Sequence, residues 1–205
     1  MLLQPSGRFS FREAAPTIAQ EGEVVVVGHS YGGSVITGAA AGNPNVQALV
    51  YIAAFAPEAG EKLGELNAKY ATSPLIEAVV PDAAGFLYID REKFHEVFAQ
   101  DVSTAEALVM AATQKPLAKP LGTRIASAVF DQAVDNAAWK TIPSWYLVSQ
   151  EDHAILPELQ RFMAKRMGAT TTEIAASHMA FISHPSEVVK TIEAAATATA
   201  TAPVK

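Results

Sequence analysis

A serine becomes a useful nucleophile when the chain holds its hydroxyl clear of the backbone and a neighbouring base can take its proton. The run Gly28-His29-Ser30-Tyr31-Gly32-Gly33 meets the first condition. Four consecutive valines, Val24 to Val27, precede it, and the small residues from Ser34 to Ala41 follow. Strand, Gly-x-Ser-x-Gly and helix form the nucleophile-elbow pattern. Its physics is steric. The turn at the serine is so tight that side chains two residues to either side would collide, and glycine at 28 and 32 relieves this. Gly33 gives the following helix room to approach the sheet. The elbow lifts the Ser30 hydroxyl above the strand ends, and the Tyr31 amide is then placed to face a developing oxyanion. The plain alternative is a Gly-rich strand-to-helix turn in which Ser30 merely caps the helix. A phosphate-cradling loop is disfavoured, because no Gly-Lys-Ser/Thr follows.

The elements that must position this serine are legible around it. Residues 23–27 predict a buried parallel strand, 34–41 a helix closed by Gly42-Asn43-Pro44, and 46–55 a second buried strand. Together they make a βαβ unit. From Pro57 to about Gly122 the pattern changes, with helix-like stretches at 91–100 and 104–113 and one short strand at 86–89. This region is expected to be an inserted, mainly helical cap over Ser30, with Phe86, Tyr88 and Phe94 near the pocket. Strand character returns at 144–149. A helix at 157–167 with Pro157 in its first turn, a strand at 170–175 and a helix at 185–196 follow. The Ala-Thr-rich residues 197–205 are expected to be a frayed tail.

Composition narrows the function classes. The 205 residues are half hydrophobic and 18% charged, enough for one domain with a substantial core. The net charge of −6, without a Lys/Arg cluster, argues against a nucleic-acid partner. The absence of cysteine removes disulfides, thiolate catalysis and Cys-based zinc sites. No pair of histidines has convincing metal-ligand spacing, so no metal or other cofactor is expected. The longest apolar run, 48–56, is too short to span a bilayer, and the start of the chain lacks a signal-peptide pattern. A cytoplasmic protein with no membrane partner is expected.

The elbow, followed by Val50-Tyr51-Ile52-Ala53-Ala54-Phe55-Ala56-Pro57, resembles the α/β-hydrolase superfamily. The stretches from Tyr146 to Gln160 and from Ala176 to Phe181 are similar to the branch holding plant methyl esterases, hydroxynitrile lyases and related bacterial esterases. The resemblance covers residues 22 to about 195, and least specifically the insertion at 57–122. It implies a mostly parallel sheet flanked by helices with a helical cap, and a triad in the order Ser, Asp, His. Ser30 is then the nucleophile. Asp152, in the loop after the 144–149 strand, is the matching acid, with Glu151 its nearest rival. His178, after the 170–175 strand, is the matching base, with His184 its rival. His29 matches a histidine that is structural in the family. His95 is expected to be solvated or partly buried on a cap helix, and His153 to lie at the loop surface.

The resemblance implies a serine carboxylesterase acting on small esters through an acyl-enzyme. A lyase of the hydroxynitrile type is disfavoured, since that activity goes with a lysine directly after the base and Met179 stands there. The family also supplies further strands and a His-Gly oxyanion loop ahead of the elbow, whereas only 27 residues precede Gly28 here. The expectation is a single α/β-hydrolase domain over 1–205, incomplete at its N-terminus, with one oxyanion donor unaccounted for. A barely active or non-catalytic hydrolase-like protein is the alternative. An exposed sheet edge predicts either a homo-oligomer or a monomer with unusually exposed apolar surface.

Overall fold

The computed structural model describes residues 22–83, 86–116 and 133–200. The expectations about missing strands and a missing oxyanion loop bear on residues 1–21, which lie outside these stretches, as do 117–122 of the insertion and 201–205 of the tail.

The valine run forms β1 (Val24–Ser30) and leads without a break into α1 (Tyr31–Ala39). β2 (Val46–Ala54) lies parallel beside β1. After the 57–122 region come β5 (Ser144–Ser149), α6 (Pro157–Met167), β6 (Thr170–Ile174), a short α7 (Ala180–Ser183) and α8 (Pro185–Ala200). The parallel sheet has the order β1-β2-β5-β6.

Alternation along the central strands assigns each residue to a face. Leu49 and Tyr51 of β2, with Tyr146 and Val148 of β5, pack against Ile36 of α1 and Leu159 and Met163 of α6. Ala48, Val50 and Ile52, with Trp145 and Leu147, face Val188 and Ala195 of α8. Covered on both sides, β2 and β5 are apolar runs, as a buried parallel strand requires. β6 reads Thr-Thr-Thr-Glu-Ile and is largely exposed, a polar edge that discourages further pairing. A run like β1, apolar on both faces, calls for a neighbour on each side, and one side was expected to be an exposed edge. Among the described residues it pairs with β2 alone, and Val27 is 41% exposed.

The described part of the insertion contains α2 (Leu63–Asn67), α3 (Pro74–Glu77), α4 (Phe94–Phe98) and α5 (Thr104–Thr113). It also holds a two-stranded antiparallel ribbon of β3 (Val79–Pro81) and β4 (Leu87–Ile89). The expected strand at 86–89 is β4. Its partner was not anticipated, although Val79-Val80 before Pro81-Asp82 is a hairpin signal. The Asp82 side chain accepts from the Phe86 amide, and the Asp82 amide donates to the Phe86 carbonyl. The expected frayed tail from 197 needs correction. α8 continues to Ala200, and Thr199 Oγ1 donates to the Ala195 carbonyl. Alanine is the best helix former, and it outweighs the alternating threonines.

Candidate active site

Three strand ends bring the candidate residues to one edge of the sheet. β1, β2, β5 and β6 run parallel, and His29, Ile52, Leu147 and Thr172 form one row across them. Ser30 ends β1, Asp152 follows the end of β5, and His178 follows the end of β6. All three therefore lie at the carboxyl edge, where open α/β sheets place their ligand sites.

Ser30 has φ 55° and ψ −127°, a conformation that costs a side-chain-bearing residue about 1–3 kcal/mol. Beside it, the β1–β2 register shifts between His29 and Ser30, which pair with Ile52 and Ala54. The residue passed over, Ala53, also has positive φ, 42°. The Phe55 amide closes the irregularity by donating to the Ser30 carbonyl at 3.0 Å. Although Ser30 directly precedes α1, its side chain makes no capping hydrogen bond. The plain reading of a capping serine therefore finds no support.

The glycines show what holds the elbow. A methyl on Gly28 would lie 2.7 Å from the Gly32 carbonyl oxygen. One on Gly33 would lie 2.3 Å from the Phe55 carbonyl oxygen and 2.7 Å from Ala54 Cβ. At Gly32 a methyl would meet nothing within 4 Å among the described residues, so the expected clash there is not seen. Tyr31 opens α1, which puts its amide at the positive end of the helix dipole.

Asp152 and His178 are 1% and 0% exposed, and His178 Nδ1 lies 2.7 Å from Asp152 Oδ2. A carboxylate can only accept, so Nδ1 carries a proton, the tautomer in which a neutral ring keeps a lone pair on Nε2. Asp152 is itself held. Oδ1 accepts from the Ala154 and Ile155 amides at 2.7 and 2.9 Å, and Oδ2 accepts from Gln160 Nε2 at 2.8 Å. Gln160 is fully buried. Its amide also donates to the Ile155 carbonyl, and its Oε1 accepts from the Ser149 amide. Sequence reasoning passed over Gln160, because a lone glutamine on an amphipathic helix reads as surface. Its i, i+3 and i+4 apolar neighbours, Met163 and Ala164, were the available signal.

His178 Nε2 is buried without a hydrogen-bond partner among the described residues. The link to the Ser30 hydroxyl is thus not closed, in keeping with the looseness of such contacts before substrate binds. The ring is enclosed by His29 at 4.6 Å and Phe98 of α4 at 4.8 Å, centroid to centroid. His29 Nε2 donates to the His178 carbonyl at 2.8 Å. Burial, with His178 beside it, pushes the His29 pKa down to about 3, so this ring is neutral.

The rivals lie elsewhere. Glu151 is exposed, and His178 turns to Asp152 instead. His184 Nδ1 is 2.9 Å from Ser183 Oγ and 3.6 Å from Asp101 Oδ2. His95 Nε2 donates to the Val102 carbonyl, and His153 Nδ1 to that of Glu96. Of the aromatic candidates, Phe94 is buried and packs at a tilt against Phe98, which meets His178. Tyr88 lines a pocket with Val80, Asp90 and Gln114 that none of the three candidate residues borders. Among the described residues, no cluster of three or more His, Asp or Glu is arranged to hold a metal ion. Nor is any described helix long and apolar enough to cross a membrane.

A strained serine at a strand-to-helix turn and a buried Asp–His pair at the same sheet edge define a hydrolase of the α/β class. The chain belongs to the alpha/beta hydrolase family, whose model matches residues 5–191. Alpha/beta hydrolase nvfD of Aspergillus novofumigatus (strain IBT 16806) is 27% identical over 202 residues, covering 91% of this chain and 76% of that protein. The carbendazim hydrolyzing esterase of Nocardioides sp. (strain SG-4G) is 52% identical over 48 residues, spanning 23% of this chain and only 20% of that protein's length. Among solved structures, a pyrethroid hydrolase from Sphingobium faniae JZ-2 superposes with a TM-score of 0.70 at 20% identity, over 95% of this chain and 80% of its own. That likeness is one of fold.

Proposed function

We propose that this protein is a serine carboxylesterase acting on small esters through an acyl-enzyme. The observation that carries the reading is the buried Asp152–His178 pair, whose free Nε2 sits at the sheet edge where the strained elbow presents Ser30. In this reading the Ser30 hydroxyl attacks the ester carbonyl while His178 Nε2 takes its proton. Asp152 keeps the imidazole in the required tautomer and stabilises the imidazolium. The Tyr31 amide faces the oxyanion. Collapse of the tetrahedral intermediate breaks the ester C–O bond, and His178 returns the proton to the departing alcohol. Water, deprotonated by the same nitrogen, then releases the acid and restores Ser30. Phe98 and the α4 segment act as the inner wall of a cap formed by the described part of the insertion, excluding water from the pair.

The names of the relatives, a hydrolase and an esterase, agree with this reaction type. The lyase alternative gains no support. Met179 packs with Ile89, Phe94 and Val97 in an apolar cluster and offers no cation beside His178. The test is hydrolysis of p-nitrophenyl acetate by the wild type and by Ser30→Ala, Asp152→Asn and His178→Gln. Each substitution is expected to lower kcat by roughly 10⁴–10⁶-fold, the scale of losing a triad member. Undiminished turnover by Ser30→Ala would remove the serine mechanism.

A further inference from the structure

Two consecutive residues of the insertion reach the two residues that immediately precede the acid and the base. Gln100 Nε2 donates to the main-chain carbonyl of Glu151, one residue before Asp152. Asp101 Oδ2 accepts from the amide of Ser177, one residue before His178, at 2.8 Å. The same oxygen accepts from Ser183 Oγ of α7 at 2.7 Å, so the His178 loop is gripped on both sides of the histidine. Nearby, Phe98 packs on the His178 ring, and His153 Nδ1 donates to the Glu96 carbonyl. Segment 96–101 thus touches the acid loop at Glu151 and His153, and the base loop at Ser177 and His178.

We propose that Asp101, with Gln100, is a positioning residue that sets the Asp152–His178 pair by clamping the two loops that carry it from the insertion side. This rests on the reading of that pair as the esterase's acid and base. The clamp is short and charged. A carboxylate accepting from an amide and a hydroxyl makes bonds roughly twice as strong as neutral ones. Burial alone would raise the Asp101 pKa, but the hydrogen bonds from Ser177 and Ser183 outweigh it and hold the carboxyl below its usual range, so it is ionised at neutral pH. The polar atoms on the far side of the clamp, Asp101 Oδ1 and Gln100 Oε1, are buried without partners among the described residues. Asp101 therefore holds its place at some desolvation cost, as a residue kept for geometry would. The consequence is a coupling: displacing the insertion displaces the base from its acid and from Ser30.

The test compares wild type with Asp101→Ala, Asp101→Asn and Gln100→Ala in p-nitrophenyl acetate hydrolysis. A parallel proton NMR measurement follows the downfield Nδ1–H signal of His178. Asp101→Ala is expected to lower kcat by roughly 10–100-fold with KM little changed, the scale of a misplaced catalytic group. The Nδ1–H signal should move or broaden while the protein stays folded by circular dichroism. Asp101→Asn retains an acceptor oxygen and should recover most of kcat. If Asp101→Ala fails to fold, Gln100→Ala carries the test, with the same signature in smaller measure. Wild-type kcat and an undisturbed His178 signal in the folded variant overturn the proposal, as does a loss confined to KM. The NMR signal reports on the pair whether or not Ser30 is the nucleophile. A wild type that turns over no ester yet shows the signal, moved by Asp101→Ala, would therefore refute the esterase reading and leave the clamp standing.

Discussion

His29 donates its Nε2–H to the main-chain carbonyl of His178, and the two rings lie 4.6 Å apart, so the residue before the candidate nucleophile fastens the candidate base. Burial and the neighbouring His178 favour the neutral ring of His29, and they outweigh this hydrogen bond, which by itself favours the charged one. The unfolded ring titrates near 6.5 and the folded one near 3. Between these values the unfolded chain binds one more proton, so stability must fall as pH falls through that window. The slope attributable to His29 approaches about 1.4 kcal/mol per pH unit. His29→Gln keeps a donor and removes the titration. Urea unfolding at several pH values from 7 to 4 should show a shallower acid loss in the variant, and parallel curves would contradict the assignment.

Gln160 should matter for stability and for rate together. Its amide serves Asp152 Oδ2, the Ile155 carbonyl and the Ser149 amide, all buried. Gln160→Leu leaves these groups short of partners at a cost of about 1–3 kcal/mol each for those left unsatisfied. Chemical denaturation should find a loss of at least that size, and ester turnover should fall with it. A variant as stable and active as wild type would show that the network is not needed.

Gly33→Ala tests the elbow's packing. The added methyl would sit 2.3 Å from a β2-end carbonyl, which cannot yield without moving the strand end. A loss of about 1–3 kcal/mol is expected from such overpacking, read as a lowered melting temperature. Gly32→Ala, which meets open space, should cost much less. Equal effects at the two positions would contradict this account.

How much of this was legible in the sequence depended on whether the cause was local. The Val24–Val27 run, the glycines of the elbow, Pro157 and Gly168 act within a few residues, and the corresponding elements stand where expected. The pairing of Asp152 with His178 could be anticipated only through resemblance, because 26 residues separate them and no periodicity joins them. Gln160 and Asp101 were not foreseen. Each is a polar residue whose partners come from distant loops, and a single sequence does not distinguish a buried amide from an exposed one. The hairpin of β3 and β4 was half seen, since Leu87–Ile89 has strand character alone while Val79–Pro81 gains its identity by pairing.

Glu61 offers a second pH test, away from the candidate site. Burial would raise its pKa, but hydrogen bonds from Arg166 and Lys69 outweigh this and bring it down to about 2. Its contribution is therefore present above the unfolded value of 4.5 and is lost as pH falls toward 2. Glu61→Gln should cost about 1 kcal/mol at pH 7, the scale of a partly screened pair, and progressively less on acidification. A difference that stays constant from pH 7 to pH 3 would count against the ion pair.

The central claim is that Ser30 is an activated nucleophile served by His178 and Asp152. A serine-reactive fluorophosphonate probe, followed by proteolysis and mapping of the labelled peptide, asks this directly. A single adduct on Ser30 is expected, formed rapidly by wild type and slowed at least as far as ester turnover in His178→Gln, with none in Ser30→Ala. A folded wild-type protein left unlabelled, or an adduct on any other serine, would contradict it.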